Sequence, residues 1–254
     1  MVHDLSRRCR GFANIYITMP VPKTAYNITS IIQMSDPKAK LIRIEPTDLT
    51  ITLREIYISL ADLCWINNLP NVSEIFKKSI RKRAEKTIKE IGAELKVNPD
   101  SSVSSSAGEY IVSELAHSTV VNDFGYLDVP LAELIKQKKK GNPGFDFFAV
   151  NRDTVVMIFG EAKYDASSNA YNRALSQIER FVEEEGKDVL DMMDLEHLVP
   201  EKAKENMECG KKGYIAAFSS TSIPDDKLKE NIENNKHYQA LLKYEEVTCV
   251  AVSI

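Results

Sequence analysis

Two apolar stretches lie close together in this chain and each is interrupted by an acidic residue, a combination that few folds can bury. Gly144-Phe145-Asp146-Phe147-Phe148-Ala149-Val150 sets an aspartate among aromatic residues, and Thr154-Val155-Val156-Met157-Ile158-Phe159 runs straight into Gly160-Glu161-Ala162-Lys163. The second run is apolar on both faces, the pattern of a strand in the middle of a covered sheet. Asn151-Arg152-Asp153 between them reads as a turn, so the two should form an antiparallel hairpin. Because side chains alternate along a strand, Glu161 and Lys163 project from one face as neighbours. With the turn centred between Arg152 and Asp153, Asp146 comes opposite Phe159 and diagonal to Glu161, about 7–8 Å away at the backbone and on the same face.

Acids in such surroundings cost several kcal/mol unless they are paired or hold a metal. Hard divalent ions take oxygen ligands, and Mg²⁺ accepts one or two carboxylates while keeping waters and substrate phosphate oxygens at about 2.0–2.1 Å. Asp146, Glu161 and the Ala162 carbonyl fit that role for Mg²⁺ or Mn²⁺. Lys163 is placed to orient an attacking water and to offset charge on a phosphate in the transition state. The competing reading is a purely structural Glu161–Lys163 ion pair, since Glu-x-Lys alone is common where 28% of residues are charged.

The rest of the chain frames this hairpin. The first hundred residues carry extended stretches at Phe12 to Met19 and Leu41 to Glu45, then a helix between Leu53 and Asn68. A second helix, Ser73 to Lys96, has Phe76, Ile80, Ala84, Ile88, Ile91 and Leu95 as one apolar stripe, and Lys77, Lys78, Arg81, Lys82, Arg83, Lys86 and Lys89 elsewhere. Those cations make either a solvated face or a surface for phosphates or a partner. Asn98-Pro99-Asp100 and the serines that follow mark a composition break, which divides the chain into an accessory unit, 1–100, and a second domain, 101–254. The second domain reads as a helix (Ser104 to Thr119), an extended piece (Tyr126 to Val129), a brief helix (Leu131 to Lys136), the hairpin, a helix (Ser168 to Glu185), a strand (Gly213 to Ser219) and a last strand (Glu246 to Ile254). The charged stretch 186–210 reads as partly exposed helix.

Gly144-Phe145-Asp146 and Gly160-Glu161-Ala162-Lys163 resemble the core of the PD-(D/E)xK nuclease superfamily, with phenylalanine where the namesake proline stands. The resemblance implies an α/β restriction-endonuclease-like αβββαβ core from about Ser104 to Ser219, preceded by a mixed accessory domain. It implies metal-dependent hydrolysis of phosphodiester bonds, with Asp146, Glu161 and Lys163 catalytic. It also implies an acid from the first core helix, either Glu109 or Glu114, and a glutamine after the Glu-x-Lys strand, Gln177. The segments Pro130 to Ile135, Gly141 to Asp146 and Gly160 to Tyr164 further resemble the nuclease subunit of Hachiman-type bacterial anti-phage systems, the HamA-like proteins. That resemblance implies a helicase partner; DNA is the expected substrate, and the first hundred residues are expected to dock the helicase or another translocase. The loop cations Lys138, Lys139 and Lys140, with Lys136, either grip the phosphate backbone or are solvated; Arg173, on the helix that carries Gln177, looks toward substrate.

Other classes are disfavoured. A net charge of -4 confines any nucleic-acid contact to a local surface. Cys9, Cys64, Cys209 and Cys249 form no CxxC pair and read as reduced, mostly buried thiols, not a zinc site or a disulfide framework. The N-terminus lacks a signal-peptide pattern and no run spans a bilayer, so a cytoplasmic protein is expected. A non-catalytic adaptor with a nuclease-like fold is the alternative; an intact Asp, Glu and Lys set argues against it.

Overall fold

The computed structural model describes residues 20–70, 72–95, 104–130, 132–135 and 144–254. The expected strand Phe12 to Met19, the break at 96–103 and the lysines 136–140 lie outside these residues. The strands are β1 (Tyr26–Gln33), β2 (Ala39–Pro46), β3 (Leu127–Val129), β4 (Phe147–Val150), β5 (Met157–Lys163), β6 (Lys212–Ser219) and β7 (Glu246–Val252). They form one mixed sheet in the order β1-β2-β7-β6-β5-β4-β3. β5, β6, β7 and β2 run parallel, while the β1–β2, β3–β4 and β4–β5 pairs are antiparallel. The helices are α1 (Leu49–Ala61), α2 (Glu74–Glu94), α3 (Ser105–Phe124), α4 (Ala132–Ile135), α5 (Tyr171–Glu183), α6 (Lys187–Leu195), α7 (Glu201–Glu208), α8 (Asp225–Glu233) and α9 (Lys236–Leu241).

Both faces of the central strands are covered, which explains their unbroken apolar runs. Neighbouring residues of β4 show the two sides. Phe147 turns toward α3, where its ring lies 5.9 Å from that of His117. Phe148 turns the other way onto Phe159, which meets Phe145 and Tyr214, and Phe145 in turn meets Phe181 of α5. The apolar stripe expected on the second helix is buried at Ile80, Ala84, Ile88, Ile91 and Leu95, whereas its first member, Phe76, is exposed; Ser73 caps α2 by accepting from the Phe76 N–H. Among the described residues no helix is long and apolar enough to cross a membrane.

Several expectations need correction. The helix between Leu53 and Asn68 is two elements: α1 starts earlier because Asp48 caps it, and a 3₁₀ turn, Cys64–Asn68, follows where Asp62 accepts from the Cys64 N–H. β1, α8 and α9 were not foreseen. β1 alternates weakly, with Asn27, Thr29 and Gln33 among its outer residues, while α8 and α9 are short and highly polar. Of the described cysteines only Cys249 is buried; Cys64 is intermediate and Cys209 exposed.

The hairpin forms, with its register two residues away from the one expected. Phe147 pairs with Gly160 and Phe148 with Phe159, and the Asp146 N–H bonds to the same Gly160 that Phe147 pairs with, instead of Asp146 standing opposite Phe159. The loop is the cause. The Asn151 side chain accepts from the N–H groups of Asp153 and Thr154, and its own N–H donates to the Val156 carbonyl. Val155 takes a left-handed φ of 53°, unusual for a β-branched residue. The Asn206 amide, bonded to the carbonyls of Thr154 and Val155, holds that strained turn in place. A two-residue shift preserves the face of every side chain, whereas a one-residue slip would not.

Gly160 is required by this register, because a Cβ there would fall inside the Phe147 ring. Gly160→Ala is therefore expected to cost about 1–3 kcal/mol by overpacking, and Phe147→Leu in the same chain to recover part of the loss. Denaturant unfolding of the wild type and the two variants measures both effects.

Candidate active site

The end of the β4–β5 hairpin is fixed mainly through Asp146. Its N–H donates to the Gly160 carbonyl at 2.9 Å, and its Oδ2 accepts from the Ala162 N–H at 2.8 Å. The aspartate thus shares Gly160 with Phe147, which makes the last regular pair, and ties its own carboxylate to the residue between Glu161 and Lys163. One position earlier, the Phe145 N–H donates at 2.9 Å to Asp191 of α6. Asp191 was read only as part of a charged, partly exposed stretch; it is buried and pins the entry to the strand.

Glu161 is 1% exposed. Its Oε1 pairs with Lys163 Nζ at 2.5 Å, as the alternation rule requires for residues two apart on one strand. Lys163 also donates to the Ala162 carbonyl at 2.9 Å, so the amine occupies that expected ligand atom. The other carboxylate oxygen, Glu161 Oε2, is buried and has no hydrogen-bond partner among the described residues. Burial, then the charge of Asp146, push the Glu161 carboxyl well above its ordinary range; Lys163 pulls it part of the way back and Glu109 adds to the push. Burial alone would discharge Lys163, but Glu161, Asp146 and Glu109 outweigh it and raise the ammonium's pKa.

A cleft of about 290 Å³ opens beside Asp146, lined by Glu94 at the end of α2 and by Ser105, Ser106, Glu109, Tyr110 and Ser113 of α3. Of the two acids open from sequence, the cleft takes Glu109. Glu114 lies elsewhere, buried beside a small cavity with Trp65 and His117. Gln177 sits half-buried on α5 and, among the described residues, makes no hydrogen bond to Glu161 or Lys163. Arg173 is exposed and reaches inward, donating to the Tyr164 carbonyl at 3.3 Å and pairing with Asp165 at 3.9 Å. Gly108 admits the Tyr164 ring against α3, in the space where a Cβ would sit. Glu94, Ser105, Ser106, Tyr110 and Ser113 had no distinguishing signal; the heptad-like spacing of Ser106 and Ser113 is visible only once the helix has a neighbour.

No protein-family model matches the chain, and no curated protein is similar enough to it to count as a relative. Among the described residues no group of three His, Cys, Asp or Glu side chains is arranged to hold a metal by itself. Asp146 and Glu161 fit a cation that needs only one or two carboxylates and completes its shell with water and substrate oxygen. Glu161 Oε2 is a buried acceptor left over for it.

The raised Glu161 pKa fixes the sign of a pH effect. A group whose folded value lies above its unfolded value stabilises the fold below the unfolded value, here 4.5, and loses that contribution as pH rises through the folded one. Glu161→Gln should therefore melt above the wild type at pH 7 in the absence of metal, by roughly 2–4 °C for each kcal/mol relieved. The difference should shrink toward pH 4. Thermal melts across that range check it, and a variant less stable at pH 7 than at pH 4 relative to wild type would contradict it.

Proposed function

We propose that this chain is a divalent-cation-dependent nuclease of the PD-(D/E)xK type, hydrolysing phosphodiester bonds of DNA. The observation that carries the reading is Glu161, a buried carboxylate with one oxygen held by Lys163 and the other without a hydrogen bond among the described residues, near enough to Asp146 for the two charges to repel. A protein built only for stability gains little from such a group, since a buried charge with incomplete bonding is destabilising. The order α3, β3, β4, β5, α5, β6 supports the αβββαβ core that the resemblance implies.

Asp146 and Glu161 would hold Mg²⁺ or Mn²⁺, with Glu109 as the further acid beside the cleft, and the ion would supply Lewis-acid stabilisation of the phosphoryl oxygens and a more acidic bound water. The chain's own residues do the rest. Asp146 keeps its carboxylate aligned through the Ala162 N–H. Lys163, its charge favoured by three acids, orients the attacking water and offsets negative charge on the pentavalent phosphorus. Opening the Lys163–Glu161 contact frees Glu161 Oε1 as metal and substrate enter.

The wider reading is an effector subunit of a bacterial anti-phage complex, gated by a helicase or other translocase. The resemblance to Hachiman-type nucleases supports it, as does the surface of α2. That helix exposes Lys78, Lys82, Lys86 and Lys89 together with Ile75 and Phe76. A nuclease without base-reading apparatus also needs restraint in its own cell.

A second reading has one observation in its favour. Lys163 already closes on Glu161 at 2.5 Å, as a structural ion pair would in a non-catalytic adaptor.

Activity decides between them. With Mg²⁺ or Mn²⁺, Asp146→Asn, Glu161→Gln and Lys163→Ala should each lower the cleavage rate at least about 100-fold while leaving nucleic-acid affinity near wild type. Linear, circular and single-stranded DNA and RNA, offered to the free chain and to its complex with a co-purifying translocase, are the substrates to compare. Cleavage by Glu161→Gln or Lys163→Ala at the wild-type rate would move the site elsewhere.

A further inference from the structure

Outside the hairpin, the most unusual buried group is His117, 4% exposed on α3 beside Asp128, 6% exposed on β3. His117 Nε2 lies 3.2 Å from Asp128 Oδ1, at ion-pairing distance and without hydrogen-bond alignment. The imidazole also bonds to the backbone of Phe148, and its ring packs on Phe147. Burial alone would disfavour the proton, but Asp128 and then Glu114 outweigh it and raise the pKa.

Three elements meet at this side chain. β3 has only three residues and pairs with β4 through Leu127, Asp128 and Val129, so its own ladder anchors it weakly. α3 carries Glu109 eight residues before His117, about 12 Å along the helix. Phe147, against which the imidazole rests, follows Asp146 in sequence and covers Gly160, the residue before Glu161. A purely apolar contact at this point would let α3 slide along the sheet, because dispersion has little directionality. A charged pair between a helix and an edge strand fixes their offset.

We infer that His117 and Asp128 form a positioning pair, which locks α3 and β3 to β4 and so sets the spacing of Glu109, Asp146 and Glu161. This rests on the reading of those acids as cation ligands. Groups behind the ligands of a metal site typically change metal affinity 10–100-fold when removed, and the pair should behave in that way without touching substrate.

The test uses His117→Gln, Asp128→Asn, the double variant, and Val120→Ala as a control that weakens the core face of α3 and keeps both residues of the pair. Two quantities are read in the full chain, with its partner where one co-purifies. The first is the Mn²⁺ concentration for half-maximal cleavage; the second is exchange of the Ala162 amide hydrogen, which Asp146 holds, relative to that of Ala216 on β6. The single variants are expected to raise the Mn²⁺ midpoint about tenfold or more and to speed Ala162 exchange selectively. The double variant should lose no more than the worse single one, because paired groups fail together. Val120→Ala should lower the melting temperature and speed both amides alike. A wild-type Mn²⁺ midpoint in His117→Gln, or equal loss of protection at Ala162 and Ala216, would overturn the inference. If the wild type cleaves nothing, the nuclease reading fails, and Ala162 exchange still decides whether the pair positions the hairpin.

Discussion

Everything distinctive about this chain follows from one carboxylate, Glu161, buried at the end of a strand that is covered on both sides. A surface Glu-x-Lys pair is worth little to a fold, but at 1% exposure the same pair constrains its neighbours. The charge must be met by Lys163, tolerated beside Asp146 and left with one unbonded oxygen. Such an arrangement persists only if the surrounding backbone holds it firmly. Asp146 bonds to Gly160 and Ala162, Asp191 holds Phe145, and the Phe147 ring fills the space that Gly160 leaves.

The remaining architecture serves that end of the sheet. β6 and β7 extend the sheet beyond β5, which makes β5 an interior strand, and Asp146, immediately before the neighbouring strand β4, opens on the cleft beside α3. β2 pairs directly with β7, so strands from the first hundred residues continue the same sheet. The cleft draws one wall from α2 and another from α3, which places Glu94 near Glu109 and Asp146. A cleft with three carboxylates among its lining residues suits a cation better than a bare phosphate.

The hairpin and the paired side of Glu161 and Lys163 were legible because strand alternation depends only on sequence parity. The register was not, because a side-chain-capped loop with a left-handed Val155 adds residues that turn statistics do not foresee. The N-cap of α2 and its apolar stripe could be read directly. β1 could not, since an edge strand with one wet face carries weak alternation, and α8 and α9 were lost because short polar helices are stabilised by docking more than by propensity. Within the site, Asp146, Glu161, Lys163 and Glu109 were legible from residue type and motif. Asp191, Glu94 and the His117–Asp128 pair were not, because each acts through a neighbour distant in sequence.

The central claim is that Asp146 and Glu161 share a divalent cation. The direct measurement is a crystal of the chain grown or soaked with Mn²⁺, with anomalous scattering recorded to locate the ion. The account predicts a peak within about 2 Å of a carboxylate oxygen from each residue, with Lys163 Nζ drawn away from Glu161. An unbroken Glu161–Lys163 pair with no peak beside Asp146, at Mn²⁺ concentrations that saturate known nucleases, would contradict it.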